Sequence, residues 1–304
     1  MSPQILVDGL IAGSMIGLGA IGVTLTYSIL RFANFAHGDY LAWGAYFALA
    51  LSGALGSLAG GALAAPIGPF SFGWSLPLAA LAATALTAGL ALLVDALLFG
   101  PLRRRGSSVI ILVMASFGAA LTLRSLLEFT FTSKPFYYTG ELQIAVRFAG
   151  MRATPDQLLS LAVALVLVIL VHLLLTRTAI GREMRAVAEN PGLAGVAGVD
   201  VRRVVRTVWA LGAVLACMAG VMAGLLIQIR PQMGLDLLLP LFAAAILGGI
   251  GSVPGAMLAG LIVGVGEAAT VAVVGAQWRA AVAFVILVAI LLLRPQGLFG
   301  RSDG

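Results

Sequence analysis

The segment Thr176–Arg206 reads TRTAIGREMRAVAENPGLAGVAGVDVRRVVR and forms a polar island between two apolar runs, Leu158–Leu175 and Thr207–Ile229. Nine of its residues are charged: Arg177, Arg182, Arg185, Arg202, Arg203 and Arg206 against Glu183, Glu189 and Asp200. Its own signals predict two short helices. Ala179–Glu189 is rich in helix formers and stops at Asn190, because Pro191 disfavours helix in the residue before it. Asn190 then caps a second helix that starts on proline, where the missing N–H has no intrahelical partner to lose. Gly198 ends that helix, and Asp200 caps the apolar run beyond it. A helix, a break and a helix between two apolar runs suit docking against a partner. The charge alone fits a topogenic loop equally well.

Outward from the island the chain is apolar. Of 304 residues 61% are hydrophobic and only 10% charged, with mean hydropathy +1.09, where a soluble domain carries about 25% charged residues. No charge occurs from Tyr40 to Val94, and about 20 apolar residues suffice to cross a bilayer as helix. The reading is an all-α polytopic membrane protein, a single transmembrane domain over residues 1–304 with lipid as its surroundings. Small residues recur four apart (Gly9–Gly13–Gly17, Gly220–Gly224, Gly260–Gly264), the pattern that lets membrane helices approach closely. The net charge of +6 reflects basic loops, and no basic patch interleaved with aromatics suggests nucleic acid. One cysteine, Cys217, and two histidines offer neither a disulfide nor a metal cage, and no cofactor is implied. The N-terminus carries Asp8 in place of a basic leader, so the first apolar run is expected to stay in the mature protein.

Nine apolar segments follow: Leu10–Leu30, Tyr40–Gly56, Leu78–Leu98, Val109–Phe129, Leu158–Thr176, Thr207–Ile229, Leu237–Ile250, Ala256–Val274 and Ala280–Leu293. Leu237–Ile250 is short and could be a half-helix, so eight or nine crossings are expected. With the island inside, Arg31, Arg103–Arg105, the island's six arginines, Arg294 and Arg301 share its side, twelve in all. Lys134, Arg147, Arg152, Arg230 and Arg279 make five on the other. That bias predicts an outer N-terminus and an inner C-terminus. The stretch Gly248–Gly255, GGIGSVPG, is expected to break a helix at membrane depth, with Gly251–Gly255 non-helical and lining a cavity.

The chemistry is sparse. The only lysine, Lys134, precedes Pro135, so no Gly-x4-Gly-Lys-Ser/Thr phosphate loop exists. No Gly-x-Ser-x-Gly or His-Glu-x-x-His motif occurs, and the chain does not read as an enzyme. Glu267 lies inside an apolar run, either as a functional group or as a paired carboxylate at a helix interface. Arg124 and Glu128, four apart, are expected to pair with each other. Asp95, near a helix end, reaches the interface. Asn34, His37 and Asp39 crowd the tight turn Arg31–Asp39, either near the transport path or as ordinary caps, with Asp39 starting the next helix.

LTYSILRFANFAHGDYLAWGAY (Leu25–Tyr46) resembles the INFAHGD region of branched-chain amino acid ABC importer permeases of the LivH type. The island resembles that family's cytoplasmic coupling loop. GGIGSVPGAMLAGLIVGVGE (Gly248–Glu267) and the tail LLLRPQGLFG (Leu291–Gly300) are similar to its late motifs, in order along the chain. The resemblance implies an inner-membrane permease paired with a second homologous permease subunit, cytoplasmic ATP-binding subunits and an extracytoplasmic substrate-binding protein. It implies coupling to the ATPase through Gly181, Arg182, Glu183, Arg185, Ala186, Glu189, Asn190 and Pro191. It makes Asn34, His37, Asp39, Gly251, Ser252, Pro254 and Glu267 candidates for the translocation path. LFAAAILGGIGS (Leu241–Ser252) lacks the family's upstream lysine and Ala64–Pro77 is individual, which leaves urea, amides, nucleosides or sugars open beside amino acids. The rival is a stand-alone secondary transporter or channel, with Glu267 or Asp39 as its ion site.

Overall fold

The computed structural model describes residues 3–58, 61–140, 143–148, 150–294 and 296–299. Among the described residues eight helices are long and apolar enough to cross a membrane. They are α1 (Pro3–Leu30), α2 (His37–Leu58), α3 (Ser75–Arg104), α4 (Val109–Phe131), α5 (Pro155–Arg177), α8 (Val201–Leu226), α10 (Val253–Val273) and α11 (Arg279–Leu293 with its 3-10 lead-in). The island holds α6 (Ala179–Glu189) and α7 (Pro191–Val196), and the short apolar helix is α9 (Met233–Gly248). The 16 residues of α9 span about 24 Å, short of the roughly 30 Å hydrocarbon core.

The bundle is organised on α1, which is apolar on every side and, with α8, the most buried span. Its glycines explain why. Gly9, Gly13 and Gly17 lie against Val265, Leu261 and Met257 in turn, so α1 and α10 run antiparallel in close contact. A β-carbon on Gly260 would meet the backbone of Gly17. Close approach of this kind supplies the dispersion contacts that hold helices together where lipid offers no hydrophobic drive. On its other sides α1 meets α8 at Gly22 and Gly212, and α9 where Gly19 abuts Leu241. α4, α5 and α11 are peripheral, with few of their apolar side chains buried.

Several sequence expectations change. The segment 31–36 is not a tight turn at the end of α1 but an irregular one that runs back beside it. His37 Nε2 pairs with the carbonyl of Gly19 at 3.2 Å, eleven residues back along α1, about 16 Å from its end. The chain therefore climbs back beside α1 as irregular backbone, and α2 starts at depth, with His37 and Asp39 already helical. The long connection after α4 holds a hairpin, β1 (Val146–Phe148) and β2 (Met151–Ala153), antiparallel with Arg147 opposite Arg152. Its six strand residues were too few to give a period in the sequence. Asp95 sits in a π-turn within α3, buried, and is ion-paired to Arg103 at 2.6 Å.

Candidate functional site: a coupling elbow, a buried turn and a helix break

In the island, the side chain of Thr178 accepts from Gly181 N to cap α6. Asn190, extended at φ −150, ends α6 and caps α7 by accepting from Leu193 N at 3.0 Å. Gly198 takes φ 89, which L side chains rarely adopt. Asp200 Oδ1 accepts from Arg202 N and Arg203 N and starts α8. This is the arrangement its sequence predicts. What the sequence does not give is the packing. Met184 and Val187 of α6, Ala194 of α7, and Val204 and Val208 of α8 form a small core of their own, with Ile29 of α1 and Leu175 of α5 against it. Arg182, Arg185, Glu189, Asn190, Pro191, Leu193 and Val196 are exposed, while Glu183 and Ala186 are half-buried. Leu193 is 69% and Val196 89% exposed, an apolar tip on an otherwise polar loop. Arg185 donates to the carbonyl of Leu175, and Arg31 to that of Ala188. One arginine fastens α6 to α5, and the other fastens it to the end of α1.

In the buried turn, Asn34, His37 and Asp39 are all at most 4% exposed. Asn34 Oδ1 accepts from Ala36 N at 3.1 Å, while its Nδ2 is buried without a partner. Asp39 faces Arg124 of α4, with Nε to Oδ1 at 3.3 Å and a terminal nitrogen to Oδ2 at 3.4 Å. The expected Arg124–Glu128 pair does not form, and Glu128 accepts from Gln232 instead. An arginine gains less from a half-buried acid such as Glu128 than from the fully buried Asp39, which needs a cation. Phe35 N donates to Ser116 Oγ at 3.1 Å, so α4 also holds the irregular backbone that climbs beside α1.

At the break, Gly249 and Gly251 take φ 89 and 90, and the helix resumes at Val253. Only Gly251 and Ser252 of the expected Gly251–Gly255 stretch are non-helical. Ser252 is the N-cap, accepting from Gly255 N, and Pro254 lies in the first turn, so local start signals win. Gly251 N donates to Thr24 Oγ1 of α1 at 2.6 Å. Residues 296–299 return here: Leu298 N donates to the carbonyl of Leu247 at 2.7 Å. Thr24 and Ser116 were missed, since a hydroxyl in an apolar run has no periodic signal, and Arg31 and Leu298 because their partners, Ala188 and Leu247, are distant in sequence. The candidates thus form separate groups. The turn and the break both lean on the second half of α1, while Glu267 lies fourteen residues beyond Val253, about 21 Å along α10.

Glu267 is buried, and its Oε2 accepts from Arg279 Nε at 2.6 Å. The pair borders a cavity of about 350 Å³ where α1, α5, α8, α10 and α11 converge. Among the described residues no cluster of His, Cys, Asp and Glu could hold a metal.

Eight span-length helices around a glycine-lined centre, with one short helix ending in a break, make this a multi-pass α-helical membrane protein. The family model for the branched-chain amino acid transport system permease component matches residues 5–291, and the chain belongs to that family. It is 32% identical to the high-affinity branched-chain amino acid transport system permease protein BraD of Pseudomonas aeruginosa over 307 residues, covering 99% of this chain and 96% of that one. It is 29% identical to the permease LivH of Escherichia coli over 316 residues, again 99% and 96%. A solved structure titled PsaBC from Streptococcus pneumoniae in complex with Fab overlays with TM-score 0.48 at 13% identity, over 97% of this chain and 92% of that one. The protein is thus a membrane-spanning ABC-type permease of the inner membrane.

Proposed function

We propose that this permease is the membrane component of an ATP-driven importer for branched-chain or related amino acids. In this reading it pairs with a second homologous permease subunit, binds ATP-binding subunits on the cytoplasmic side, and receives substrate from an extracytoplasmic binding protein. The N-terminus is outside and the C-terminus inside, with α9 and the irregular residues 227–232 before it together making the ninth crossing. The observation that carries it is the elbow of α6 and α7. An exposed apolar tip, Leu193 and Val196, flanked by Arg182, Glu183 and Glu189, has the make-up of a docking surface. Arg31 ties the elbow to the end of α1, and Thr24 of the same helix holds the break at Gly251. A push on the elbow therefore reaches both the buried turn and the break through one rigid helix. The relatives' names supply the substrate class and nothing in the chain narrows it further. The stand-alone reading is weakened because Asp39 and Glu267, its candidate ion sites, are each held by an arginine.

The test is ATP hydrolysis by the reconstituted complex, with and without loaded binding protein, beside capture of the ATP-binding subunit. Leu193→Asp with Val196→Asp, and separately Glu183→Arg and Pro191→Gly, leave insertion and abundance near normal because these residues lie outside every span. The double aspartate abolishes capture, and the other two lower stimulated hydrolysis several-fold. Normal capture and normal stimulation in all three would reduce the island to a topogenic loop.

A further inference from the structure

The cavity beside Glu267 has a polarity that the transport reading does not use. Its wall is largely apolar, with Ile11 and Met15 of α1 among its residues, and it contains Asp8, Glu267 and Arg279. Glu267 Oε2 is engaged by Arg279, but Oε1 is buried with no hydrogen-bond partner. A buried carboxylate oxygen left unpaired is costly, more so than a neutral acceptor. The bond from Arg279 Nε uses one of five guanidinium N–H donors, and its side chain is 39% exposed. Asp8, which is exposed and already accepts from Gln4 Nε2 at 2.7 Å, also lines the cavity, so two carboxylates share it with one guanidinium. Its volume, about 350 Å³, falls in the range of small-molecule sites.

We propose that this cavity binds a small zwitterion bearing a primary ammonium group. The ammonium donates to the Glu267 carboxylate and to Asp8, and the ligand's anionic oxygen takes free guanidinium N–H groups of Arg279. Oε1 is closed to solvent as it stands, so the ligand enters as the half-exposed Arg279 side chain rotates aside and then rests against the anionic oxygen. Two sources present this chemistry: a free α-amino acid, and the ethanolamine phosphate headgroup of a neighbouring lipid. The inference stands on the orphan oxygen and the cavity, not on ATP coupling, so an elbow that fails its test leaves it intact.

The full chain in nanodiscs provides the test. In one arm, phosphatidylglycerol discs doped with phosphatidylethanolamine are compared by native mass spectrometry with discs doped with phosphatidylcholine, whose quaternary nitrogen has no N–H. In the other, undoped phosphatidylglycerol discs are titrated with labelled L-leucine and with 4-methylpentanoate, which lacks the ammonium. Saturable binding of about one ethanolamine lipid or one leucine per chain is expected, without the corresponding binding of the control. Glu267→Gln should weaken it about tenfold or more, as loss of a charged hydrogen-bond partner does. Ala272→Phe, which narrows the cavity from an exposed position and leaves the ion pair untouched, should abolish it, and covers the case that the Glu267 variant does not fold. Ethanolamine-lipid binding alone assigns the site to the membrane; leucine binding alone assigns it to cargo. Binding of neither probe, equal binding of the controls, or binding unchanged by both variants overturns the proposal.

Discussion

Asp39 and Arg124 show what a single ion pair does inside this bundle. Asp39 is 1% exposed, and its carboxylate lies in the first turn of α2, where the helix N-terminus favours negative charge. The helix end alone does not offset the desolvation of a carboxylate, and the Arg124 guanidinium supplies the rest. Removing one partner leaves the other charge buried. Arg124→Leu or Asp39→Leu should therefore lower stability by about 3–5 kcal/mol, whereas the double Leu variant should recover most of it. Unfolding of the four proteins in detergent, followed by tryptophan fluorescence, checks the cycle. Additive losses would mean that the two residues are not coupled. If the double variant is stable but transports nothing in the reconstituted system, the pair acts in transport as well as in folding.

At the scale of elements the decisive contact is the glycine stripe between α1 and α10. Gly260 has the backbone of Gly17 where its own β-carbon would be, while Gly118 on α4 has nothing within 4 Å. Neither residue needs a positive φ, so the difference is one of space alone. Gly260→Leu is expected to prevent α1 and α10 from closing and to remove the protein from the membrane fraction. Gly118→Leu should be tolerated, with abundance within about twofold of wild type, since Leu is a better helix former than glycine. Immunoblots of membranes after equal expression decide it. Equal abundance of both variants would mean that α1 and α10 do not pack at these glycines.

For the whole molecule the question is which way round it lies. The basic bias of the loops favours the proposed outer N-terminus, with Ser108 and Gly192 expected inside and Ser133 outside. Cys217→Ala removes the one native thiol and, although Cys217 is buried, deletes a single side-chain heavy atom, so the background is expected to fold. Cysteine placed at each of the three positions and probed with an impermeant maleimide on intact cells should label at 133 and only after permeabilisation at 108 and 192. Labelling at 192 on intact cells reverses the orientation, and the proposed docking elbow then faces away from ATP.

How much of this was written in the chain differs by feature. The spans were legible because a bilayer selects on length and apolarity, both local quantities, and the island's helices because caps and prolines act within four residues. Asn190, Pro191, Gly198 and Asp200 do what their types dictate. The break was half legible: Gly251 and Ser252 leave the helix, but Ser252 and Pro254 restart it sooner than the run of glycines suggested. What local rules could not reach is which side chain meets which across the bundle. The Arg124 partner, the climb of the chain from Arg31 to Ala36 beside α1, the grip of Thr24 on Gly251 and the return of Leu298 to Leu247 all join residues tens to hundreds of positions apart. In an apolar chain nearly every helix face is equally greasy, so hydrophobic pattern leaves rotation and partner open. They are decided by where glycines let backbones touch and where the few buried polar groups find one another, and those are properties of the assembled fold.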